Sequence, residues 1–153
     1  MERLIYKVET VGCRTYFSIT GDFHAKEVID KLGITPYSAR AKGEIRKSGD
    51  GVYGFSALRF ELCNDYDCMV EKQMMKTLKP FMDKVDVLKE IKEMGDVEFT
   101  LAVVPYVRYD EPTPCLAPSM EVMKFCVETG TNIDIDLYVG CPDDEDGIKL
   151  RTN

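Results

Sequence analysis

Residues 16–44 read YFSITGDFHAKEVIDKLGITPYSARAKGE, and their patterning decides the fold class. The first residues alternate. Phe17 and Ile19 point one way while Tyr16, Ser18 and Thr20 point the other, which is the period of a half-buried strand. Gly21-Asp22 ends that strand. Asp22 is expected to cap the next helix by accepting bonds from the free amides of its first turn. Ala25, Val28, Ile29 and Leu32 then fall at helical spacing and make one apolar stripe. Gly33 stands where a helix end needs left-handed backbone, and Pro36 stops any continuation. The stretch from Thr35 to Lys47 reads as a polar, locally basic loop, with Arg40, Lys42, Arg46 and Lys47 against Glu44. Ser48 to Gly51 is a turn cluster.

Working outward, Leu4, Tyr6 and Val8 alternate with Ile5, Lys7 and Glu9 and predict an earlier strand, with a turn at Gly12 that makes a hairpin with the strand through Phe17. Phe55 to Cys63 is a strand with Ser56, Leu58, Phe60 and Leu62 on one face and Phe55, Ala57, Arg59 and Glu61 on the other. Asn64 to Asp67 offers a cap for a helical region whose stripe is Val70, Met74, Leu78 and Phe81. Pro80 predicts a kink or an ending there, because it lacks an amide proton and crowds the preceding turn. Asp83 is expected to cap a second helix that packs Val87, Leu88, Ile91 and Met94 and closes at Gly95. Val97 to Tyr106 is a strand. Residues 110–118 hold three prolines and predict an extended loop. The last helix begins either with Pro118 in its first turn or with Ser119 as its cap. It packs Val122, Met123, Cys126 and Val127 and stops at Gly130. Asn132 to Val139 is the final strand.

The order ββ–α–β–αα–β–α–β predicts an α+β fold: a mainly antiparallel sheet with helices packed on one face, a ferredoxin-like sandwich with an extra N-terminal strand and a helical insertion. Residues 1–140 are expected to form one domain and residues 141–153 a flexible acidic tail.

Several residues of this pattern together resemble a known family. They are the run YFSITGDFHAKEVIDKLGITPYS with its later KGE, and LAPSMEVMKFCVETGTNIDIDLYV near the end. Over roughly Thr15 to Val139 the chain resembles the bacterial domain-of-unknown-function family 4279. The resemblance implies a cytoplasmic bacterial domain. It carries over no activity, cofactor or site residue, because none of the shared elements is a catalytic signature.

Composition narrows the function classes. The 153 residues carry a formal charge of −7, spread unevenly: +2 over residues 1–50 and −9 over residues 51–153. An acidic chain is a poor nucleic-acid binder, since neutralising phosphate supplies most non-specific affinity. It suits a basic protein partner, with long-range attraction speeding encounter. The N-terminus has neither the apolar core nor the small-residue cleavage site of a secretory signal, and no apolar run approaches membrane-spanning length, so no membrane association and a cytoplasmic location are expected. The six cysteines are then expected as reduced thiols, with Cys126 filling a helical apolar stripe.

Strand parity defines the candidate binding surface. The sheet face away from the helices is expected to show Tyr16, Ser18, Thr20, Arg59, Glu61, Glu98, Thr100, Asp134, Asp136 and Tyr138. Asp134 and Asp136 share a face but are too few to hold a cation on their own. The basic loop offers Arg40 and Lys42 as anion ligands near Gly43. Cys63 and Cys68 stand four residues apart, outside the usual zinc spacing, so no metal site is expected. The single histidine, His24, falls at a helix start with no nucleophile motif beside it, and neither a dinucleotide fingerprint nor a phosphate-binding loop is present. No catalytic residue and no cofactor is expected. The leading reading is a non-catalytic protein- or ligand-binding module, one form of which is an immunity-type protein neutralising a basic toxin. The competing reading is an enzyme or small-molecule sensor using the open sheet face or the basic loop. The oligomeric state is left open.

Overall fold

A computed structural model describes residues 12–61, 69–108 and 113–140. The strand predicted over Leu4 to Val8, the cap at Asn64–Asp67, the Cys63–Cys68 pair and the acidic tail lie outside these residues. The elements run β1 (Gly12–Gly21), α1 (Ala25–Leu32), β2 (Ser38–Arg40), β3 (Ser56–Phe60), α2 (Val70–Leu78), a 3₁₀ segment (Lys79–Lys84), α3 (Val85–Glu93), β4 (Val97–Arg108), α4 (Met120–Thr129), β5 (Thr131–Ile135) and β6 (Tyr138–Gly140).

The strands form one sheet in the order β2-β3-β1-β4-β5, with β6 paired to β4 beyond the end of β5. All pairs are antiparallel except β4–β5 and β4–β6. This is the α+β architecture that the alternation and helix periodicity predict. The first four strands, β2-β3-β1-β4, follow the expected ferredoxin-like order with antiparallel neighbours throughout. α1 crosses from β1 to β2 with β3 paired between them, and α2 and α3 cross from β3 to β4 with β1 between them, so the two split halves interleave; α4 then adds β5 parallel to β4.

The break between β5 and β6 has a local cause. The register offset is the same in both: Val103 lies beside Ile135 and Tyr106 beside Tyr138. The amide of Asp136 donates to the carbonyl of Val103 at 2.9 Å, so Val103 and, two residues on, Pro105 turn their backbone polar groups toward this edge. Proline has no amide proton to give, and the ladder lapses opposite it.

One layer of helices covers one sheet face. Phe17 and Ile19 of β1, Leu58 and Phe60 of β3, and Phe99, Leu101 and Val103 of β4 pack against apolar side chains of all four helices. Phe17 is the centre of an aromatic group, with ring centroids 4.6 Å from Phe81, 5.9 Å from Phe99 and 6.2 Å from Phe125. Thr15 makes buried polar contacts across this layer, its hydroxyl 2.7 Å from that of Thr77 and 3.5 Å from the Gln73 carbonyl. Paired hydroxyls avoid the cost of an orphaned donor in the core.

Helix ends follow the expected chemistry in part. Gly33 and Gly130 adopt left-handed backbone with φ of 64° and 65°. Ser119, not Pro118, caps α4, its hydroxyl accepting from the Val122 amide at 3.3 Å. Lys92 of α3 donates to the Gly130 carbonyl at 2.6 Å, placing a cation at the negative end of α4.

Several expectations are corrected. Gly12 is paired to Tyr106 within β1 rather than forming a turn. His24, not Asp22, is the N-cap residue of α1: Gly21 at φ 145° carries the chain past Asp96, whose carbonyl takes the Asp22 amide, and the Asp22 carboxylate turns to Lys42 instead. Asp83 caps nothing, because the 3₁₀ segment runs into α3 without interruption and Pro80 sits in that segment's first turn. Met123 and Val127 are exposed, Val127 at 84%; the packed face of α4 is Val122, Phe125, Cys126 and Thr129. The basic loop contains the short strand β2 and a small hairpin closed by the Ile45–Val52 bridge, and β3 begins at Ser56 after an exposed Phe55, while the end predicted at Leu62 and Cys63 lies outside the described residues.

Candidate functional site: the open face of the sheet

Along β1, burial alternates residue by residue, so Arg14, Tyr16, Ser18 and Thr20 lie on the face opposite the helices. The register carries that parity across the sheet. Ser18 lies between Arg59 and Thr100, and Tyr16 beside Ala102, which lies beside Asp134. Every residue assigned to this face from the sequence is placed consistently with it where pairing defines the register. Arg14 and Tyr106 belong to the same surface, and the same parity extended by one step in β1 and to the end of β4 identifies them.

The face divides into two halves of unlike charge. On the β3–β1 side, Glu61, whose side chain is only 12% exposed, forms an ion pair with Arg14 and lies 3.7 Å from Arg59. Both guanidinium groups lie over Tyr16, Arg59 at 4.3 Å from the ring centroid and Arg14 at 5.6 Å. The negative ring face and the shared carboxylate together engage both cations. Arg40, on β2, lies 5.5 Å over the ring of Tyr53.

On the β4–β5–β6 side, Glu98, Asp134 and Asp136 are exposed, and none has a cation partner among the described residues. Tyr138 donates its hydroxyl to Asp136 Oδ2 at 2.9 Å and stacks on Tyr106, with centroids 5.7 Å apart and planes 1° apart. The Tyr138 phenol is pushed above its ordinary pKa, first by that hydrogen bond, which only the neutral phenol can donate, and next by the Asp136 charge. The Tyr106 hydroxyl is buried and has no hydrogen-bond partner among the described residues.

The expected anion site on the basic loop takes a different form. Lys42 pairs with Asp22 at 2.6 Å, and its amide donates to Ser56 Oγ at 3.1 Å. Ser56, fully buried, donates to the Phe23 carbonyl at 2.6 Å. Lys42 lines a cleft of about 850 Å³ together with Asp22, His24, Ser56 and Met94, whereas Arg40 lies outside the cleft lining. Lys42 and Arg40 are therefore not brought together as a pair of anion ligands. His24 is exposed at the helix start.

Cys13, Cys115 and Cys126 are free thiols, and burial pushes the Cys126 thiol above its ordinary pKa. Among the described residues no group of three or more histidine, cysteine or acidic side chains is placed to hold a metal ion, and no helix is long and apolar enough to cross a membrane.

The family described as Domain of unknown function (DUF4279) matches residues 11–140. No curated protein and no solved structure matches the chain.

Proposed function

The chain belongs to the DUF4279 family, and from that premise we propose that it is a non-catalytic binding module whose open sheet face meets a cationic protein surface through its acidic half. The observation that carries this reading is the unequal use of charge on the face. Arg14 and Arg59 are engaged by Glu61 and Tyr16, while Glu98, Asp134 and Asp136 project without a counter-charge among the described residues. What the face offers to a partner is therefore carboxylate, backed by the Tyr106–Tyr138 stack. Exposed carboxylates of this kind speed encounter with a basic surface and lose influence as salt rises.

The test compares two charge-neutralised proteins on a polylysine-coated sensor. One carries Glu98→Gln, Asp134→Asn and Asp136→Asn. The control carries Glu90→Gln, Glu121→Gln and Glu128→Gln on the helices, so both lose the same formal charge. The proposal expects the sheet-face triple to lose most of the salt-sensitive binding and the helix triple to keep most of it. Equal losses reduce the effect to net charge and refute the reading.

A second reading, a small-molecule sensor or enzyme, rests on the cleft beside Lys42. It expects a metabolite to raise the melting temperature of the native protein and to lose that effect in Lys42→Met.

A further inference from the structure

We propose that the β5–β6 edge accepts an additional strand from its partner, an extended segment in which cationic and apolar residues alternate. The inference rests on the cation-directed reading above and adds a backbone route to it. Among the described strands, the outer side of β5 and β6 has no neighbour. Ile135, Leu137, Tyr138 and Val139 are 41–52% exposed. The Asp136 amide points inward to Val103, so the alternate residues Ile133 and Ile135 turn their amide and carbonyl groups outward, where no strand among the described residues pairs with them.

Side chains along this edge alternate as a strand reader requires. Asp134 and Asp136 lie on the open face, and Ile135, Leu137 and Val139 fall in the opposite phase. Edge strands are ordinarily guarded by lysine, proline or a very short length. The opposite edge follows that rule: β2 is three residues long and ends in Arg40. The run Thr131 to Gly140, TNIDIDLYVG, contains no lysine, arginine or proline. At about 3.3 Å per residue it presents a rail of roughly 30 Å.

The charge pattern selects the occupant. In a second copy paired across this edge, same-face residues would meet, setting Asp134 and Asp136 against the same carboxylates of the other chain, which is destabilising. A segment with lysine or arginine opposite these carboxylates and apolar residues opposite Ile135 and Leu137 satisfies both faces.

The experiment measures fluorescence anisotropy of a labelled peptide of alternating lysine and valine against the full chain. Comparison peptides are a block isomer with all lysines before all valines, and two N-methylated forms of the alternating peptide, one methylated at the valines and one at the lysines. The protein variants are Asp134→Asn/Asp136→Asn and Ile135→Pro. The last removes an outward amide while keeping the inward ladder, and the methylated peptides make the same test without altering the protein. The proposal expects the block isomer, one of the methylated peptides and Ile135→Pro each to weaken binding by about tenfold or more. If all four peptides bind alike while Asp134→Asn/Asp136→Asn still weakens them, strand addition is overturned and the acidic-face reading survives. If neutralising the two aspartates changes nothing, that reading falls and takes strand addition with it.

Discussion

Replacing Ser56 by alanine removes one oxygen and leaves two backbone groups without a partner. The hydroxyl donates to the Phe23 carbonyl at 2.6 Å and accepts from the Lys42 amide at 3.1 Å, tying the entry to α1, strand β3 and the loop after β2 together at one fully buried point. An orphaned buried polar group costs about 1–3 kcal/mol. Phe23 is buried, so its carbonyl bears a cost near the middle of that range, whereas the Lys42 amide belongs to an exposed residue that water reaches more readily. The expected loss is about 2–3 kcal/mol, which for a domain of this size lowers the melting temperature by roughly 5–10 °C. Calorimetry gives the stability change, and amide hydrogen exchange gives its location: the Lys42 amide should exchange faster than in the parent protein. A stability loss below about 0.5 kcal/mol, or an unchanged Lys42 exchange rate, refutes the assignment of Ser56 as the joint between these segments.

Gly21→Ala should be more damaging still, because a Cβ there would sit 2.0 Å from the Asp96 carbonyl oxygen on backbone at φ 145°; a drop of about 3–5 kcal/mol by urea titration is expected, and a drop under 1 kcal/mol contradicts the geometry. Timed alkylation read by mass spectrometry should label exposed Cys115 well before buried Cys13 and Cys126, whose labelling waits for unfolding; comparable rates at all three would contradict their placement. Tyr138 should lose its proton at higher pH than an ordinary tyrosine, and Asp136→Asn should bring that titration back down, as followed by phenolate absorbance against a Tyr138→Phe control. A phenol pKa raised in the folded state favours the fold below the ordinary value, and that contribution fades as pH rises above about 10 through the folded value, so this small pH-dependent loss should be absent in Asp136→Asn.

Side-chain parity was the most legible property of the chain. The alternation around Phe17 and Ile19 predicts which residues of β1 face the core, and the same period run along the later strands places Arg59, Glu61 and Asp134 on one surface before any pairing is known. Gly33 and Gly130 could likewise be read as helix ends, since left-handed backbone suits glycine above other residues. Long-range choices were not legible. Nothing local in Asp22 distinguishes a helix cap from a partner for Lys42, twenty residues away. The short edge strand β2 was not legible either: its three exposed residues carry no alternation, and only pairing with β3 makes them a strand. Met123 and Val127 fit a helical stripe, yet α4 turns a neighbouring stripe inward, one that includes Phe125 and Thr129. The division of charge across the open face depends on the Arg14–Glu61–Arg59 contacts, which join β1 to the end of β3.

The central claim is that cationic partners meet the acidic half of the open face, and residue-resolved NMR during titration with the alternating lysine–valine peptide tests it most directly. The chain contains a rival acidic run, Asp143 to Asp146, and acidic side chains on its helices, so location decides between them. The account predicts the largest amide shifts at Glu98 to Thr100 and along Asn132 to Val139, shrinking together as salt is raised. Largest shifts at Asp143–Asp146, or spread over α1 to α4, would contradict it.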